Sequence, residues 1–239
     1  GSGKTTTLYA ALTRLNTPDK KILSVEDPVE YQLDGINQIP IRPNIDLTFA
    51  NALRAILRQD PDVIMVGEMR DVETARIAVQ AALTGHKVFS TLHTNDSAGA
   101  ITRLRDMGIE PFLIASSVNV ILAQRLVRII CQECKEEYTP APEMLMRIGV
   151  PEVQCHGRTV FRGRGCGKCH QTGFKGRCGI YEMLLMTQDM KSLVLQTSDA
   201  NQIKRKAVEE GMITLQKDGA DKVLKGITTI EEVYRVSQS

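Results

Sequence analysis

Gly1-Ser2-Gly3-Lys4-Thr5-Thr6-Thr7 opens the chain, and its reading decides the fold. The stretch matches the closing positions of G-x-x-x-x-G-K-[ST], a glycine-rich turn that leads into a helix. Backbone N–H groups of such a loop surround a β-phosphate, and the helix N-terminus behind it favours negative charge. On that reading Gly1, Ser2, Gly3 and Thr6 line the cradle. Lys4 reaches the β- and γ-phosphates of a nucleotide such as ATP, and the Thr5 hydroxyl is set to ligate Mg²⁺. The first glycine of the pattern and the strand that carries it are expected upstream of residue 1, so the chain reads as a fragment. The bland alternative is a flexible Gly-Ser lead into an ordinary helix.

Downstream, apolar strands alternate with amphipathic helices. The pattern predicts a helix over residues 5–15, a buried strand over 21–25, and short strands and loops over 31–46. Phe49, Leu53, Ile56 and Leu57 recur at helical spacing until Asp60-Pro61. Val63-Ile64-Met65-Val66 is a continuous apolar run, as expected of a parallel strand covered on both faces. Asp71 caps a helix ending near Leu83 and Gly85. A strand follows over 88–92, then a helix capped by Asn95 or Asp96 and closed at Gly108, then a further helix over 111–127. The alternation predicts an α/β fold with a parallel sheet. Ligands of such sheets bind beyond the carboxyl ends of the strands. Glu26 with Asp27, Glu68, and His93 all fall at those ends, where the phosphate loop also belongs.

The chemistry follows from those positions. Glu68 ends a buried strand and has Arg70 and Asp71 just beyond it. A carboxylate there orients or deprotonates an attacking water, and Arg70 links nucleotide state to a neighbouring loop. Gly67 stands where many phosphate-loop enzymes carry a Mg²⁺-binding Asp, leaving the ion to Thr5, phosphate oxygens and water. Glu26, Asp27 and Glu30 bracket Pro28, which fixes the strand exit. His93 is read as a γ-phosphate sensor. His86 reads equally as a strand-start residue bonded to backbone.

Four stretches then stand in one order: Gly1 through Tyr9; Val25-Glu26-Asp27-Pro28-Val29-Glu30; Leu57-Arg58-Gln59-Asp60-Pro61-Asp62 with Val66-Gly67-Glu68-Met69-Arg70-Asp71; and Thr84-Gly85-His86 with Ser90-Thr91-Leu92-His93-Thr94-Asn95. The set resembles the Walker A, Asp-box, Walker B and His-box motifs of the type II secretion and type IV pilus assembly ATPases. The resemblance implies a RecA-like P-loop core, ATP hydrolysis and a homohexameric ring. It also implies a cytoplasmic position on the inner face of the bacterial inner membrane, where hydrolysis moves a membrane platform protein. Glu68 and Glu26 then manage the water, and arginines that assist catalysis are expected partly upstream, so residues 1–239 alone are expected to bind nucleotide weakly and turn it over negligibly.

Cys131-x-x-Cys134 and Cys166-x-x-Cys169 form two knuckles separated by 31 residues. Paired C-x-x-C knuckles in an intracellular-type enzyme signal a closed, structural Zn²⁺ site. The gap leaves room for an inserted helix over 143–148, and a disulfide framework is the alternative. Cys155 and Cys178 fall outside the pairs. The stretch from Gly165 to Glu182 and the tail with Gly211, Asp218-Gly219 and Gly226 resemble the assembly-type members of the same family. The domains are thus expected as a RecA-like ATP-binding domain over 1–127, a zinc-binding subdomain over 128–180 and a helical subdomain over 181–239, with Thr229 and Glu232 forming a capping box.

Composition limits the rivals. The formal net charge is +2, aromatics are 4% with no Trp, and no apolar run is long enough for a membrane span. A nucleic-acid-translocating RecA-like motor with a zinc ribbon has neither the charge nor the stacking residues it needs. A non-hydrolysing nucleotide-binding scaffold is the second rival, separated by steady-state phosphate release.

Overall fold

The computed structural model describes residues 1–237. In chain order the elements are α1 (Lys4–Leu15), β1 (Ile22–Glu26), β2 (Asn37–Pro40), α2 (Phe49–Ile56), β3 (Val63–Val66), α3 (Val72–Leu83), β4 (Lys87–Ser90), α4 (Ser97–Asp106) and α5 (Pro111–Ser117). They continue as β5 (Val120–Ile130), β6 (Lys135–Tyr138), α6 (Pro142–Arg147), β7 (Val160–Gly163), β8 (Phe174–Leu185), α7 (Gln188–Gln196), α8 (Ala200–Glu209), α9 (Leu215–Leu224) and α10 (Ile230–Ser237). These elements group into two compact units, each drawn from separate stretches of chain.

The first unit takes Lys4–Ile121 and Leu184–Ala207. Its centre is a parallel sheet in the order β2-β1-β3-β4. Every residue of β1 and β3 is buried, because helices cover both faces. Strand alternation sends Leu23, Val25, Ile64 and Val66 to one face, where they pack with Phe49, Leu53 and Ile56 of α2 and Ala78 of α3. Ile22, Val63 and Met65 go to the other face, against Tyr9 and Leu12 of α1. The caps expected at Asp71 and at Asn95 or Asp96 form at Asp71 and Asp96, and Thr48 adds one that was not expected: each side chain accepts from the third backbone N–H beyond it.

The second unit takes Gly1–Gly3, Leu122–Met183 and the chain from Val208 onward. β6 and β7 pair antiparallel, with Lys135 opposite Gly163. Leu145, Ile148, Val150, Cys155 and Val160 share one hydrophobic cluster with Val223 of α9 and Val233 of α10. The inserted helix expected between the cysteine knuckles is α6.

Two expectations are overturned. No helix runs over 111–127: α5 stops at Ser117, and Val120–Ile130 is a strand that pairs with β8. The Ser117 hydroxyl donates back to Leu113 O at 2.7 Å. Val118 then turns extended, with φ −83° and ψ 126°. Val118, Val120, Ile121, Val127, Ile129 and Ile130 are β-branched and suit a pleated surface better than a helix. The helical pattern expected from Tyr181 onward also starts late, because β8 continues to Leu185. Ile180, Glu182 and Leu184 are buried there and Tyr181, Met183 and Leu185 exposed, the alternation of a strand.

Candidate functional site

The carboxyl edge of the parallel sheet gathers most of the residues singled out in the sequence. Gly3 has φ +82°, a conformation that glycine adopts without steric cost, and α1 begins at the next residue. Lys4, Thr5 and Thr6 therefore form the first helical turn, whose N–H groups lack intrahelical acceptors. The Lys4 ammonium donates to Leu92 O at 3.5 Å, one residue before His93. The exits of β3 and β4 are stitched together: Thr91 Oγ1 donates to Gly67 O at 2.7 Å, and Met69 N donates to Thr91 O at 3.0 Å.

That stitching aims Glu68. One carboxylate oxygen pairs with Arg70 Nη2 at 2.5 Å and the other with His93 Nε2 at 3.0 Å. The Glu68 side chain is 12% exposed, while those of Arg70 and His93 are 64% and 69% exposed. Burial alone would raise the Glu68 pKa, but the hydrogen bonds from His93 and Arg70 outweigh it and hold the carboxyl below its ordinary value. Gly67 also has a structural reason. Its N–H donates to Val25 O at 2.8 Å, and a Cβ there would crowd Val25 O at 3.2 Å and Glu26 Cα at 3.4 Å. A side chain at this position needs the β1 backbone to give by a few tenths of an ångström, so the sheet is tight where an Asp would otherwise stand.

Glu26 is placed differently. It is 3% exposed, and its carboxylate accepts from Ser24 Oγ at 2.5 Å, Gln38 Nε2 at 3.1 Å and the Tyr9 hydroxyl. Burial, the bond to Glu26 and that carboxylate's charge push the Tyr9 phenol up to about 12. Asp27 and Glu30 are exposed beyond it. His86 Nδ1 lies 3.0 Å from Ala81 O and 3.1 Å from Thr84 Oγ1, at the C-terminal end of α3. Tyr9, Ser24 and Gln38 were missed in the sequence. A signal existed for one of them: Ser24 and Glu26 are polar residues two apart in an apolar strand, and so share a face.

The four knuckle cysteines form a second candidate site. All four Sγ atoms lie within 4.8 Å of one another, and three residues are buried. Sγ separations are 3.9 Å for Cys131–Cys166, 3.9 Å for Cys134–Cys169 and 3.7 Å for Cys166–Cys169. A tetrahedron with metal–sulfur bonds of about 2.3 Å has edges of roughly 3.8 Å, so the donor set fits Zn²⁺. Backbone N–H groups already point at the sulfurs: Gly165 N to Cys134 at 3.3 Å, Cys166 N to Cys169 at 3.2 Å and Gly173 N to Cys169 at 3.3 Å. Such donors favour thiolates. All six cysteines are free thiols, so the disulfide alternative finds no support. Cys155 sits apart in the hydrophobic cluster, its thiol directed at Pro151 O.

The family model described as "Type II/IV secretion system protein" matches residues 1–235. Type II secretion system protein E of Pseudomonas aeruginosa is 56% identical over 238 residues, which is 100% of this chain and 47% of that protein. The type IV pilus assembly ATPase PilB of Thermus thermophilus is 52% identical over 233 residues, covering 98% of this chain and 26% of that protein. The chain therefore spans less than half of each of these relatives. Among solved structures, the pilus retraction motor PilT with bound ADP superposes with a TM-score of 0.73 at 28% identity, covering 100% of this chain and 59% of PilT. The Legionella pneumophila ATPase DotB gives 0.68 at 26%, covering 99% and 57% respectively.

Proposed function

The chain belongs to the type II/IV secretion system protein family, and from that premise we propose that it is the ATP-hydrolysing part of a motor subunit that drives type II protein secretion or type IV pilus assembly. The observation that carries the reading is Glu68, held at the exit of β3 by His93 and Arg70, beside the β4 exit to which Lys4 is bonded. The parallel sheet is read as a RecA-like core. Gly1, Ser2, Gly3 and Thr6 contribute the phosphate cradle with the first turn of α1. Lys4 has a long bond to a neutral carbonyl, which a phosphate oxygen outcompetes because the acceptor is then charged as well as the donor.

Mg²⁺ fits the donor chemistry of this edge through the Thr5 hydroxyl, since the ion keeps phosphate oxygens and waters as its other ligands. When bound it neutralises charge on the β- and γ-phosphates. Glu68 stays ionised at neutral pH, because its carboxyl is held below the ordinary value. It thus accepts a hydrogen bond from the attacking water and orients it. His93 is the exposed partner that can exchange Glu68 for the γ-phosphate, while Arg70 holds that carboxylate. Glu26 contributes from behind the edge, since its carboxylate is occupied. The four thiolates are assigned one structural Zn²⁺, with no part in the reaction.

The same reading has the subunit work as a homohexamer on the cytoplasmic face of the bacterial inner membrane, against a platform protein of the secretion or pilus machinery. Among the described residues no helix is long and apolar enough to cross a membrane. A nucleic-acid-translocating motor is not favoured, because the similar proteins are secretion and pilus ATPases. The test is Glu68→Gln in the full-length protein. ATP binding should persist while turnover falls at least ~100-fold, as for loss of a general base, and Lys4→Ala should weaken binding itself. Wild-type turnover in Glu68→Gln would refute the role given to Glu68.

A further inference from the structure

Behind the sheet edge lies a polar cluster centred on one hydroxyl. Tyr9 stands in the second turn of α1 and is 1% exposed. Its hydroxyl donates to the Glu26 carboxylate and accepts from the Glu30 backbone N–H at 3.3 Å and from Gln38 Nε2 at 3.2 Å. Gln38 extends the network, donating to Glu26 at 3.1 Å and to Tyr31 O at 3.2 Å and accepting from Leu33 N at 2.7 Å. The Tyr9 and Tyr31 rings meet edge to face at 4.7 Å. One side chain therefore ties the helix behind the phosphate loop to the end of β1, to β2 and to the loop over residues 27–33.

The donors to Glu26 are three neutral groups from Tyr9, Ser24 and Gln38. A buried carboxylate is tolerated only while its hydrogen bonds are made, so loss of one donor should displace it. Displacement would not stay local. Val25, the residue before Glu26, holds Gly67 N through its carbonyl at 2.8 Å, and Gly67 precedes Glu68. Asp27, the residue after Glu26, is exposed at the same edge.

We infer that Tyr9 is a positioning residue for hydrolysis: its hydroxyl fixes Glu26 and the 27–33 loop against the phosphate-loop helix, and so keeps Glu68 in register with bound nucleotide. The inference rests on the ATP-hydrolysing reading above. Tyr9→Phe in the full-length protein keeps the ring and its contact with Tyr31 but removes the hydroxyl. The expected result is a fall in kcat of about tenfold or more with KM for ATP within about threefold, because small misplacements cost rate more than binding. A merely structural role would lower the melting temperature and the active fraction, and leave kcat per folded enzyme unchanged; that result would overturn the inference. Amide hydrogen exchange gives a readout without turnover. The Glu30 amide should exchange at least ~10-fold faster in Tyr9→Phe, since its acceptor is gone. An unchanged rate would overturn the inference whatever the kinetics. A wild-type protein that hydrolyses no ATP would defeat the hydrolase reading and the catalytic half of the inference with it, and the Glu30 amide would still decide whether Tyr9 fixes the loop.

Discussion

Glu232 shows how a single side chain sets the acid limit of this fold. It is 2% exposed, and its carboxylate accepts from Arg128 N at 2.8 Å, Arg128 Nη2 at 2.9 Å and Arg235 Nη2 at 3.0 Å. Burial alone would raise its pKa, yet the two guanidinium groups and the backbone N–H outweigh that and hold it at about 2. A carboxyl depressed in the folded state contributes stability that is present above its unfolded value and is lost as pH falls through the folded one. The window is therefore the acid range down to about pH 2. Both guanidinium groups are more than half exposed, so screening reduces the contribution to about 2 kcal/mol. Glu232→Gln should lose about that much in urea unfolding at pH 7, and should flatten the dependence of stability on pH between roughly 4 and 2. An unchanged acid slope would show that the pair is fully screened. The sequence placed Glu232 in a capping box, and half of it forms, because Glu232 N donates to Thr229 Oγ1 at 3.4 Å. The carboxylate instead serves Arg128, a residue 104 positions away, which no local pattern reveals.

At the scale of elements, the two cysteine knuckles carry the clearest prediction. Each is a short turn, and the four thiol groups converge on one centre, so metal binding there would be local folding energy, on the order of 10 kcal/mol for structural Zn²⁺. Purified protein should carry one Zn²⁺ per chain by elemental analysis. Cys166→Ser should lose it and raise amide exchange across β6, β7 and the knuckles. Cys155→Ser should keep it, since Cys155 lies in the hydrophobic cluster with carbonyls of Val150 and Pro151 as acceptors for a hydroxyl. Full metal content in Cys166→Ser would refute the ligand set. This site was legible because C-x-x-C spacing is itself the geometry of a knuckle. β1, β3 and β4 were legible as short, mainly apolar runs, the last two followed by the helix caps Asp71 and Asp96. β5 was not. Its partner β8 lies more than 40 residues downstream, and an apolar run beside a real helix carries no mark of a distant strand. The Tyr9–Gln38 cluster was hidden likewise, because Gln38 reads as an ordinary loop amide until β2 lies beside β1.

For the whole molecule the decisive quantity is positive charge at the γ-phosphate. Phosphoryl transfer proceeds with charge spread over the transferred oxygens, and catalysis is mostly positioning and electrostatic stabilisation. Here Lys4 stands at the loop, while Arg70 is paired with Glu68 and serves to hold that carboxylate. If Arg70 turned fully to phosphate, Glu68 would lose a partner that keeps it aimed. The proposed ring resolves this conflict, because a neighbouring subunit can supply an arginine without disturbing Glu68, and such a residue is worth roughly 10³ or more in rate. Hydrolysis by the full-length protein should therefore be slow when subunits are dilute and should climb in specific activity as rings assemble. Phosphate release measured against protein concentration, with sedimentation run on the same samples, checks this directly. The rise in activity should follow the appearance of the assembled species. Full specific activity in samples that sediment as single subunits would mean that the site is complete within one chain, and would sink the argument for a cation in trans.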